Sequence, residues 1–260
     1  MTGGGRCRPG DPVIYSISAE GGGSPLCTPV LAGRRDSRAG GRKRVNQQKE
    51  GMHIFGPPEG TNWRPPTSGN SISWDGSAVV KSFGDRPDGL ARERAVLERL
   101  SGRLPVPELW PGGGEDQLRL AYIPGQPGDE AVEANRGAEL LYALGAFLRK
   151  LHEIDPALLG DVLPGNGTVI VHGDFAPYNA ILDQERPVIR AVLDWEAAYI
   201  GDPITDLAWC EWQFRMRHPH HGWAVSRLFE GYGSTPSAME REEAVAKRLK
   251  ELSARGLGGR

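Results

Sequence analysis

Cysteine is scarce in this chain: Cys7, Cys27 and Cys210 are its three thiols in 260 residues. Three cysteines without short spacings exclude a disulfide framework and a zinc site of the Cys-x-x-Cys kind. No apolar run is long enough to span a bilayer, and the N-terminus has no hydrophobic signal core. The formal net charge is only −2, so no charge of one sign dominates the whole chain. It is unevenly placed, however. Residues 1–51 carry nine Lys/Arg against four Asp/Glu, a net of +5, which leaves −7 on the remainder. An acidic body argues against nucleic acid as the main partner and suits a cationic small molecule. A soluble protein of a reducing cytoplasm, partnered by neither nucleic acid nor membrane, is the expectation.

The N-terminal stretch also lacks periodicity. Gly3-Gly4-Gly5, Gly21-Gly22-Gly23 and the Arg/Gly-rich run from Arg34 to Arg42 have no sustained apolar pattern. Such composition buries too little surface to offset the entropy of ordering, so residues 1–51 are expected to be a disordered extension. A basic arm for nucleic acid or lipid is the competing reading. Translation starting at Met52 is the accompanying expectation, because Lys49-Glu50-Gly51 is what a purine-rich ribosome-binding site encodes when read as protein.

Regular elements follow. Ile72 to Trp74 and Ala78 to Phe83 read as a hairpin, with Asp75-Gly76 supplying the turn. A helix is predicted from about Gly89 to Leu100 and is stopped by Pro105 and Pro107; Leu118 to Ile123 forms a strand. Ala138 to Ile154 carries Leu140, Leu141, Leu144, Phe147, Leu148 and Leu151 at helical spacing. Thr168 to Val171 is a buried strand by composition, and Asn179–Leu182 and Val188–Leu193 are two more around a turn. Asp202-Pro203 supplies an N-cap and first-position proline for a helix through Leu207 and Trp212. Ser237 to Ala254 is a last, charged helix. There are no internal repeats.

Chemistry concentrates in Val171-His172-Gly173-Asp174-Phe175-Ala176-Pro177-Tyr178-Asn179. Leu193-Asp194-Trp195-Glu196 and Gly201-Asp202-Pro203-Ile204-Thr205-Asp206-Leu207-Ala208 follow. Each short run alone is weak, whereas all three in order behind a buried strand are specific. Together they closely resemble the aminoglycoside phosphotransferase and choline kinase group, and the Asp-to-Asn interval equals that of the protein-kinase catalytic loop. The resemblance covers most of the chain from about Ser71. It implies a two-lobed α/β (α+β) fold similar to protein kinases, with a small β-rich N-lobe over residues 52–123 and a mainly helical C-lobe over 124–260. It also implies ATP and Mg2+ as cofactors and O-phosphorylation of a small hydroxylated molecule. Antibiotic, amino alcohol and sugar all stay open as the acceptor.

Phosphoryl transfer asks the protein mainly to align a hydroxyl and neutralise phosphate charge. Magnesium takes oxygen ligands, which Asn179 and Asp194 can offer. By resemblance, Asp174 is the catalytic base and Asn179 and Asp194 hold the metal. His172 and Asp206 are expected to support the loop, and Asp202 to cap its helix. Lys81 matches the strand lysine that reaches the α and β phosphates, with Glu93 its ion-pair partner. Adenine is expected against the backbone of Ala121, Tyr122 and Ile123. The departure from the family lies in Thr67 to Ser71, a meagre phosphate-covering loop with one glycine.

His218, His220 and His221 flank a proline without helical spacing, and a solvated loop is expected there. Trp209, Trp212 and Phe214 are expected in the core, and the acids Glu196, Glu211 and Glu230 are candidates to face a cationic acceptor. The short chain after Gly201-Asp202-Pro203 suggests an acceptor site that is open or completed by a second subunit, so monomer and homodimer both stand. A nucleotide-binding protein with little transfer activity is the leading alternative; a metal-dependent phosphohydrolase is the other.

Overall fold

The computed structural model describes Asn70 to Ala254, together with the backbone of a short antiparallel pair, β1 (Ile14–Tyr15) and β2 (Pro29–Val30). Apart from that pair, the disorder expected over residues 1–51 lies outside the described residues. So do the Met52 start and Thr67–Gly69 of the expected phosphate loop.

A four-stranded antiparallel sheet in the order β3-β4-β6-β5 forms the smaller half. Its strands are β3 (Ser71–Trp74), β4 (Val79–Ser82), β5 (Leu109–Trp110) and β6 (Gln117–Leu120). The hairpin turn is held by the Asp75 carboxylate, which accepts from the backbone N–H groups of Ser77 and Ala78 at 2.9 and 2.8 Å. Side chains alternate faces along a strand, so cross-strand pairs share a face. Lys81 is therefore on the side of its partners Ile72 and Leu118. Helix α1 (Pro87–Leu100) opens on a first-position proline and buries Gly89, Glu93, Val96, Leu97 and Leu100. Those positions make one helical stripe. Glu93 is the charge within it.

The larger half is mainly helical. Helix α2 (Gly128–Ala131) runs into a wider π-type turn at Val132–Arg136, where Asn135 takes φ +62°. Helix α3 (Gly137–His152) buries all six of its expected apolar side chains. Each such side chain is worth about 2 kcal/mol on burial, which makes this helix the pillar of the core. Strands β7 (Gln126–Pro127), β9 (Ala180–Leu182) and β10 (Ile189–Val192) form a sheet in the order β10-β9-β7, and β8 (Val169–Val171) pairs with β11 (Tyr199–Gly201). Helices α4 (Ile204–Arg217), α5 (Ser226–Tyr232) and α6 (Ala238–Ala254) complete the chain. Helix α6 starts with a reciprocal cap: Ser237 Oγ accepts from the Glu240 N–H, and Glu240 Oε2 accepts from the Ser237 N–H. Among the described residues, no helix is long and apolar enough to cross a membrane.

Several elements differ from the sequence reading. The strand expected over Leu118–Ile123 ends at Leu120, and 121–123 is irregular connector. The segment from Gly128 to Arg136 was not anticipated as helical, because one four-residue turn followed by a π-type turn has no period to detect.

Candidate active site

On the sheet side, Lys81 is 4 % exposed and Glu93 is 1 % exposed. Lys81 Nζ donates to Glu93 Oε2 at 2.5 Å and to Asp194 Oδ1 at 2.7 Å. Burial opposes the ammonium charge, but the pull of the two carboxylates outweighs it and holds the lysine above its ordinary pKa. Burial pushes the Glu93 acid up to about 7, with Lys81 drawing it back down. Asp194 has φ +65°, a left-handed backbone that costs strain in a non-glycine residue. Next to it, the fully buried Trp195 anchors the turn by donating from Nε1 to the Val192 carbonyl at 2.9 Å.

The second group is the loop between β8 and β9. Asp206, fully buried in the first turn of α4, accepts from the His172 N–H at 2.8 Å and the Gly173 N–H at 3.1 Å. The His172 ring accepts the Asp174 N–H on Nδ1 at 3.2 Å and faces the Leu193 carbonyl with Nε2 at 2.9 Å. That network places the ring proton on Nε2. Gly173 sits at φ +84°, and a Cβ there would lie 2.3 Å from the Ala197 carbonyl oxygen, so a side chain is excluded. Asp202 Oδ1 accepts the Ile204 N–H at 3.0 Å, capping α4.

Asp174 is half-buried. Its Oδ1 accepts the Tyr178 O–H at 2.7 Å and the Trp209 Nε1–H at 3.0 Å. Asn179 Nδ2 donates to the Asp174 backbone carbonyl at 2.9 Å and to Oδ2 at 3.3 Å. Burial pushes the Asp174 acid upward, against the hydrogen bonds from Tyr178 and Trp209. The Leu193 N–H donates to the Asn179 carbonyl at 2.7 Å, which links this loop to the strand end carrying Asp194. The carboxylates and the amide thus lie on adjoining backbone.

These contacts test whether the residues fit a hard cation. The amide nitrogen of Asn179 is engaged inward, which leaves its carbonyl oxygen as the ligand atom. Lys81 takes one oxygen of Asp194 and leaves the other. A neutral and a charged oxygen donor suit magnesium.

The connector residues are half-buried, and Tyr122 packs edge-on against Trp74 at 6.2 Å. The Ala121 N–H is already donated to the Glu108 carbonyl at 2.9 Å.

The acids considered for a cationic acceptor all hold cations of the chain itself. Glu196 accepts from Arg86 at 2.6 Å and from Asn70 at 2.7 Å. Glu211 lies 2.9 Å from Arg215 and 2.7 Å from Arg241, and Glu230 pairs with Arg227. His218 is not solvated: it is buried, 3.0 Å from Asp129 Oδ1, while Arg217 holds the other Asp129 oxygen at 2.6 Å. Trp209 is 5 % exposed, as a core residue should be, yet its N–H serves Asp174. The sequence offers one signal for Tyr178: it is a phenol donor inside the motif, four residues after Asp174.

A profile of the phosphotransferase enzyme family matches residues 71–166 and 157–245. Viomycin phosphotransferase of Streptomyces vinaceus is 34% identical over 125 residues, 46% of this chain and 40% of that protein. The chain spans less than half the length of the curated relatives it matches. Among solved structures, aminoglycoside phosphotransferase APH(3'')-Id of Streptomyces rimosus aligns with TM-score 0.55 and 21% identity, covering 70% of this chain and 90% of that one. A choline/ethanolamine kinase family protein of Mesorhizobium loti aligns with TM-score 0.53 and 17% identity over 75% of this chain and 76% of its own. The fold is that of these two-lobed, kinase-like phosphotransferases, and the chain belongs to the phosphotransferase enzyme family.

Proposed function

We propose that this protein transfers the γ-phosphoryl group of ATP to a hydroxyl of a small molecule, with residues 52–123 as its nucleotide lobe and 124–260 as its catalytic lobe. One observation carries the reading: Lys81 and Glu93, both buried, form a charge cluster with Asp194, and the strand end carrying Asp194 is hydrogen-bonded to the Asp174 loop. Lys81 faces the α and β phosphates, while Glu93 holds its charge and direction. Adenine meets the connector. Its edge is read by main-chain donors and acceptors around Ala121, Tyr122 and Ile123.

Asn179 and Asp194 would hold magnesium, which when bound neutralises charge on the phosphates. The acceptor oxygen attacks the γ-phosphorus, the bond to the bridging β,γ-oxygen breaks, and ADP leaves with that electron pair. The acceptor proton passes to the Asp174 carboxylate, whose raised pKa makes it a better base than an exposed aspartate. His172 and Asp206 fix the loop that carries it. His218, which the phosphohydrolase reading would need, is engaged by Asp129.

The test is incubation with ATP and an acceptor panel, read by mass for products heavier by one phosphoryl group. Viomycin, streptomycin, a macrolide, choline and ethanolamine head the panel, after the names of the relatives. Product that disappears on chelation of divalent cations is expected. Phosphate release without any phosphorylated acceptor contradicts the proposal.

A further inference from the structure

The contacts at Asp174 are asymmetric. Oδ1 takes two hydrogen bonds, 2.7 Å from the phenol of Tyr178 and 3.0 Å from the indole of Trp209. Oδ2 takes one long contact, the 3.3 Å approach of Asn179 Nδ2. Each aromatic donor carries a cation on its ring face: the Arg217 guanidinium lies 4.9 Å from the Tyr178 centroid and Arg248 5.8 Å from that of Trp209. A cation over a ring draws electron density from it, which strengthens donation by the attached O–H or N–H. Arg248 is buried and also donates to the Gly173 carbonyl. Helix α6 therefore grips the loop and the Trp209 ring at once.

We propose that Tyr178 and Trp209 are positioning residues that clamp Oδ1 of Asp174, leaving Oδ2 as the oxygen that receives the acceptor proton. This rests on the phosphotransfer reading. A carboxylate turns about its terminal torsion with little preference, so a base of this kind needs an imposed orientation. Two donors from different elements, the loop itself and α4, supply one. Arg217 and Arg248 brace the two rings.

Two measurements test the clamp. In protein labelled with 15N-tryptophan, the Trp209 indole proton, identified by its loss in Trp209→Phe, is expected far downfield. It should move upfield in Asp174→Asn. It should move further downfield in Tyr178→Phe, because the two donors share one oxygen. A resonance that responds to neither variant overturns the clamp. In transfer assays with the best acceptor of the panel, Tyr178→Phe and Trp209→Phe are each expected to lower kcat by about tenfold to a hundredfold, with KM for ATP nearly unchanged. Trp209→His, which retains an N–H, should recover part of the loss. A merely structural role predicts that kcat falls together with melting temperature and that His does no better than Phe; that result overturns the proposal, as does a wild-type kcat in both Phe variants. If the wild-type protein phosphorylates nothing, the phosphotransfer reading fails and the positioning role falls with it, while the indole shifts still decide whether the hydrogen bonds exist.

Discussion

On the sheet side, Lys81 sits between two carboxylates; on the loop side, Asp174 receives a phenol, an indole and an amide, all neutral. The difference follows from what each group is proposed to do. A phosphate-binding lysine must stay charged when buried, and only opposing charge can hold it so. A proton-accepting aspartate must not be neutralised, since a lysine or arginine in direct contact would lower its basicity far more than dipoles do. Neutral donors orient it and leave its charge for the acceptor hydroxyl. The sheet side is therefore fragile to loss of a charge, and the loop side to loss of direction.

That contrast is open to attack by substitution, beginning with the charged side. Lys81→Met leaves the buried Glu93 and the half-buried Asp194 without their cation, and a loss of about 3 kcal/mol is expected from urea unfolding, together with loss of nucleotide binding. A wild-type unfolding midpoint would show that the pair is dispensable. Next in size is Gly128→Ala. A Cβ there would lie 2.1 Å from the Pro177 carbonyl oxygen, so α2 and the catalytic loop must move apart. About 1–3 kcal/mol of stability should be lost, with product formation falling more than ATP binding does. Equal losses in both would mean that the displacement is not confined to the loop side. The smallest effect is expected from Ser237→Ala, which removes the cap of α6. Its melting temperature should fall by about 2–4 °C without moving KM for ATP.

The two regions also differed in how much could be read from sequence. The hairpin, α1, α3 and the strands around the motif announce themselves through turn residues and periodicity, because local propensity and burial agree there. Lys81 and Glu93 were visible as a strand lysine followed by a helical acid. On the buried stripe of α1, an acid is also out of place. The loop side is harder. Asp174, Asn179 and Asp194 follow from spacing, but the partners of each oxygen do not. Trp209 reads as core and is core; that its N–H also reaches Asp174 depends on the rotation of α4 against the loop. Arg248 meets Gly173 across 75 residues of chain, a contact that no local pattern encodes. The acids Glu196, Glu211 and Glu230 invite a binding role in sequence and lose it in space, because each already holds an arginine. The proline beside His218 suggested a solvated loop, where Asp129 in fact draws the imidazole inward.

The central claim is that Asp174 acts on the acceptor while the Lys81 cluster acts on the nucleotide. Its most direct test compares Asp174→Asn with Lys81→Met, measuring ADP affinity by calorimetry and phosphorylated product by mass. The asparagine keeps an oxygen for Tyr178 and Trp209, so the account predicts a folded protein that binds ADP nearly as the wild type does. Its product formation should fall by about a hundredfold or more, whereas Lys81→Met loses nucleotide and product together. An Asp174→Asn protein that still makes product at the wild-type rate, or that loses ADP binding along with its fold, would contradict it.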